Sequence, residues 1–137
     1  MSATGEHDGF TLLEVLVVIA IMALIGGLAF PRIDRMIAGA RFNSARSTVA
    51  AAAQAARAEA VRTDATVALI ASSDGHALLV NGRTVASLPD EVSVASAGPA
   101  RFFGDGSATG GTIRLAAGEN AAELQIMAPS GTTRWRR

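Results

Sequence analysis

Between Phe10 and Phe30 the run "FTLLEVLVVIAIMALIGGLAF" carries one charge, Glu14. Holding an acid in hydrocarbon costs about 3 kcal/mol at the bilayer centre and less toward the interface. An opposite charge brought beside it would offset that desolvation. Glu14 is therefore misplaced for a lone membrane anchor. The second chemically suggestive group is the tail "TTRWRR", with Arg134, Arg136 and Arg137 around Trp135, the chain's one tryptophan. Arginine beside an aromatic ring serves nucleic-acid sites, through phosphate contacts and base stacking. The same residues also suit a final strand, Trp135 packed on one face and the arginines solvated on the other. The strand reading is preferred, and the balance stands against nucleic acid as a partner.

Other groups point away from catalysis. "GDGSATGG", residues 104–111, lacks the Gly-Lys-Ser/Thr ending of a phosphate loop and leads into a strand instead of a helix. Asp105 does not stand in a filled calcium loop, so turns needing positive φ account for these glycines. Glu59, Asp64, Asp74, Asp90, Glu91 and Asp105 show no paired-carboxylate spacing, and no serine stands in a nucleophile elbow. Cysteine is absent, and the two histidines, His7 and His76, are far apart. The reading is a non-enzyme with no cofactor and no metal site. All 12 basic residues are arginine, balanced by 12 acids to zero net charge, which makes no electrostatic case for a polyanion.

These groups need elements to hold them. Residues 1–9 are polar. Residues 10–31 are long enough to span a bilayer core, which takes about 20 apolar residues. A cleaved signal peptide is the rival, but the start is acidic (Glu6, Asp8) and "LAFPR" offers no good cleavage pattern. Residues 32–64 continue as an amphipathic helix, with Ile33, Met36, Ile37, Ala40, Val49, Ala52, Ala53, Ala56 and Ala60 on one face. Pro31 and the Gly26–Gly27 pair should bend or loosen it. From residue 65 the period becomes two, with candidate strands "TVALIA", "HALLV", "RTVASL", "EVSVA", "ARFF", "TIRLA", "AELQIMA" and "TTRWR". Asn81–Gly82 and Asp74–Gly75 signal tight turns, and short loops imply antiparallel neighbours. The expected fold is α+β: a long N-terminal helix packed on a small antiparallel β-sheet domain, residues 65–137.

The segment "G-FTLLEVLVVIAIMALIGGLAFP" resembles the N-terminus of type IV pilin-like proteins. The resemblance implies cleavage by a prepilin peptidase after Gly9, a leader of residues 1–9, and N-methylation of the new first residue, Phe10. Glu14 then stands as the acid at the fifth mature position, able to meet a neighbouring Phe10 amine. "RFFGDGSATGGTIRL" followed by "AAELQIMAPSGTTR" resembles the terminal hairpins of the GspH/FimT group of minor pilins and pseudopilins. That implies a minor pseudopilin of type II secretion, with other major and minor pseudopilins as partners. It would sit as a single-pass protein in the inner membrane with residues 65–137 in the periplasm. The alternative within the group is a FimT-like minor pilin that binds DNA for uptake, where the tail arginines would act. Charge alone, two acids before the apolar run and Arg32 and Arg35 after it, would orient the anchor the other way. The cleavage motif is the more specific signal and keeps the N-terminus inside.

Overall fold

The computed structural model describes residues 10–136, with the side chains of residues 28–31 outside the description. Gly9, the leader and Arg137 lie outside the described residues. The chain divides into two compact units, Met1–Ala38 and Gly39–Arg137.

In the first unit Thr11 caps the start of α1 (Leu12–Thr63), its Oγ1 accepting a hydrogen bond from the Glu14 N–H at 3.2 Å. Thr-x-x-Glu is the pattern of a capping box, which satisfies amide donors that an α-helix leaves open at its N-terminus. The apolar side chains from Leu12 to Ile25 are exposed, and the helix is long and apolar enough to cross a membrane by length and composition. The helix continues through residue 31, so Pro31 does not end it.

The second unit contains the last part of α1 and eight strands: β1 (Val67–Ala71), β2 (Ala77–Val80), β3 (Arg83–Ser87), β4 (Ser93–Ser96), β5 (Ala100–Phe102), β6 (Gly111–Ala117), β7 (Asn120–Ile126) and β8 (Thr133–Arg136). All pairings are antiparallel. They form two sheets of four strands each, in the orders β3-β2-β1-β5 and β4-β6-β7-β8, and with α1 they make the expected α+β fold. The two-residue turn Asn81–Gly82 has both φ angles positive, at 49° and 81°, as the hairpin signal requires.

Phe42, Ala45, Val49, Ala52, Ala53, Ala56 and Ala60 bury one helical stripe against inward residues of both sheets, among them Leu69, Leu78, Phe102, Ile113, Leu115 and Leu124. Alanine on the helix side lets backbone and sheet approach closely, while the bulk comes from the strands. The helical face drawn from the sequence is corrected at its start. Ile33, Met36, Ile37 and Ala40 are exposed, and burial begins at Phe42, because only the second unit, from Gly39, brings sheets to the helix.

The helix ends where Asp64 adopts φ 49° and the Ala65 N–H bonds the Ala60 carbonyl at 3.2 Å. A left-handed residue with that bond closes the last turn.

Candidate functional site

At the start of α1, Phe10 precedes the helix and is 75 % exposed, and Glu14 occupies the first turn. A helix N-terminus carries partial positive charge, so a first-turn acid is favoured there before any partner arrives. The sequence reading singled out Glu14 as a charge in an apolar run and missed this second reason for its position. The Thr11-x-x-Glu14 spacing was the available signal. Phe10 and Glu14 thus lie together at one helix end, and Gly9 lies outside the described residues.

The tail separates into two faces. In β8, Trp135 is half-buried and packs against the core, while Arg134 and Arg136 are exposed. The Arg46 guanidinium stands 4.7 Å from the Trp135 ring centroid. That is cation–π distance, and it occupies a ring face that a base would need. The Arg46 Nε is buried and finds no hydrogen-bond partner. Arg137 lies outside the described residues.

The glycine-rich loop is structural. Asp105 accepts a hydrogen bond from the Ser107 N–H at 2.9 Å, and the Ser107 hydroxyl and amide hold its carboxyl below the ordinary 3.8. Arg57 reaches from α1 to donate its Nε–H to the Gly106 carbonyl at 2.9 Å. A Cβ on Gly131 would stand 2.8 Å from that carbonyl oxygen and 3.0 Å from the Arg57 Nε. A Cβ on Gly104 would come within 2.9 Å of the Asp64 Cα. Gly104 is needed because backbone meets backbone at the helix end, and Gly131 because its backbone meets the Gly106 carbonyl beside the Arg57 side chain. The sequence reading did not single out Arg57 or Arg46. Each carries charge beside an alanine stripe, and its partner lies tens of residues away. Among the described residues, no group of three His, Asp or Glu side chains comes together in a metal-binding arrangement.

The outward side of the second sheet sets Arg114, Glu123 and Arg136 side by side across β6, β7 and β8. Arg114 Nε donates to Glu123 Oε2 at 3.1 Å. Arg134 lies one row away, opposite Gln125.

Comparison with known proteins gives two family matches. Residues 7–30 match the prokaryotic N-terminal methylation motif, a span that contains Gly9, Phe10 and Glu14. Residues 45–131 match the type II transport protein GspH. That second span begins on the buried helix face and ends at Gly131, so the Arg134–Arg137 tail lies beyond it. No curated protein and no solved structure gave a match.

Proposed function

This chain belongs to the family of the type II transport protein GspH, and we propose that it is a minor pseudopilin, cleaved after Gly9 and assembled into the periplasmic pseudopilus of type II secretion. The observation that carries the proposal is the helix start. A Gly-Phe-Thr-Leu-Leu-Glu stretch falls within a methylation-motif match, and the exposed apolar run that opens the helix has its one acid, Glu14, in the first turn. Prepilin peptidase would cut between Gly9 and Phe10, and methylation would leave the new amine positively charged. In the membrane that amine and Glu14 anchor one end of the helix near the interface. In the filament, Glu14 receives the Phe10 amine of a neighbouring subunit, and apolar helix faces bury against each other instead of lipid. The role is mechanical and non-enzymatic. The two-sheet unit stands in the periplasm, where other pseudopilins are its partners.

The test is processing. N-terminal sequencing or intact mass should find a chain beginning at methylated Phe10, and Gly9→Val should leave the uncut precursor in the membrane. A mature chain beginning beyond Phe30 would instead mark a cleaved signal peptide and end this reading.

One observation favours a second reading, a FimT-like pilin that binds DNA: Arg134 and Arg136 are solvent-exposed near Arg114. Trp135 turns inward beneath Arg46, so the tail offers cations without a stacking platform.

A further inference from the structure

The outward face of the β4-β6-β7-β8 sheet carries a charge pattern unused by the helix start. Its central row runs Ala95, Arg114, Glu123, Arg136 across all four strands. The sign order is plus, minus, plus. Arg114 keeps 77 % of its side chain exposed although it touches Glu123, which is only 31 % exposed. Among the described residues, Arg136 and Arg134 have no ion-pair partner. Ala116 and Ala121 flank the row on one side, and Ala95 lies at its end, leaving shallow depressions on either side of Arg114. The other face of this sheet is filled by the core, so the bare face is the one bearing the arginines.

We propose that this face docks an acidic helix of a partner protein, whose carboxylates meet Arg114 and Arg136 while a cation or amide between them meets Glu123. Adjacent strands lie about 4.8 Å apart, which puts the β6 and β8 arginines about 10 Å apart. Two helical turns span about 10.8 Å, so carboxylates seven residues apart on one helix face match that separation. The alanines let a helix come close to the sheet. Planar guanidinium groups take carboxylates in paired hydrogen bonds and keep their charge at any working pH. A nucleic acid is the poorer fit. Glu123 interrupts the cationic row, and the tail's tryptophan ring is turned to the core. The inference rests on the sheet face and is independent of the pseudopilin reading.

Fluorescence anisotropy on the full chain in detergent tests it with three labelled probes. The first is a helical peptide with two glutamates seven residues apart and a lysine midway. The second carries the reversed charges, and the third is a single-stranded oligonucleotide. The expected result is binding of the first peptide in preference to the other two, weakened about fivefold or more by Arg114→Ala with Arg136→Ala. Arg83→Ala, on β3 of the other sheet, should leave it unchanged. Absence of binding by the first peptide, equal binding of both peptides, or binding indifferent to the two arginines would overturn the proposal. Preference for the oligonucleotide through the same arginines would also overturn it and make the face a nucleic-acid surface.

Discussion

Glu14 has one reason for its place in the helix start and a second in the proposed assembly, and substitution separates them. Its amide is capped by Thr11 and its side chain sits at the helix's positive end, a local preference worth about 0.3–1 kcal/mol. The proposed pairing with a neighbour's amine needs the charge itself. Glutamine at this position keeps the capping-box geometry but not the charge. Glu14→Gln and Glu14→Leu should therefore both insert as well as wild type or better, and both should lose cross-linking to other pseudopilins. Full cross-linking in Glu14→Gln would show that capping, not charge, is what the position supplies. Arg46 poses a different case, since its stem packs in the second unit while its head covers Trp135. Arg46→Met keeps most of the packing and should cost about 1 kcal/mol, whereas Arg46→Ala should cost more. With one tryptophan in the chain, emission should shift red in Arg46→Ala as Trp135 gains water, and not in Arg46→Met, whose side chain still covers the ring. Glu14 was legible in the sequence because a charge in an apolar run stands out locally. Arg46 was not, because its partner is on the last strand and no local pattern links them.

Elements were legible where their cause is local. The eight strands fall within a few residues of their sequence-derived positions, because two-residue alternation and turn residues such as Asn81–Gly82 are read from adjacent positions. The division into two sheets was not legible. It depends on β1 choosing β5 and β4 choosing β6, pairings across intervening strands that alternation cannot specify. The glycines divide the same way. Gly118 needs only its φ of 55° and has nothing within 4 Å of an added Cβ, so Gly118→Ala should cost about 1 kcal/mol. Gly131 combines φ 66° with the close approach to the Gly106 carbonyl and Arg57, so Gly131→Ala should cost about 2–4 kcal/mol. Thermal unfolding of the two variants side by side gives the comparison, and equal losses would mean the Arg57 clasp yields freely. The Asp105 turn adds a pH dependence. Its carboxyl is the stronger acid when folded, so its contribution is present above the ordinary 3.8 and lost as pH falls through the lower folded value. Stability should decline less on acidification below about pH 4 in Asp105→Asn than in the parent.

For the whole molecule, the two leading readings differ in what charge must do. The full chain has zero net charge, and cleavage after Gly9 would remove only Glu6 and Asp8, leaving 12 arginines against 10 acids, so DNA binding would rest on the local arginines. If Arg134, Arg136 and Arg137 each neutralised one phosphate, the logarithmic salt slope would be about −2.7, and affinity would fall roughly fortyfold between 50 and 200 mM salt. Titration of the full chain in detergent with duplex DNA should show binding too weak to reach micromolar affinity at physiological salt, scarcely altered when the three arginines become alanine. The Trp135 ring, held under Arg46, has no free face toward the exposed arginines to add stacking. In cells the same contrast should appear as function. Deleting the gene should impair type II secretion, and restoring it with the triple-alanine tail should recover export, whereas restoring it with Glu14→Leu should not. Micromolar or tighter DNA binding that follows the steep salt slope and disappears with the three arginines, together with intact secretion in the deletion strain, would move the chain to the DNA-uptake reading. The helix start would keep its role under either outcome, because an assembling anchor serves both kinds of filament, and the decision lies with the outward faces of the second unit.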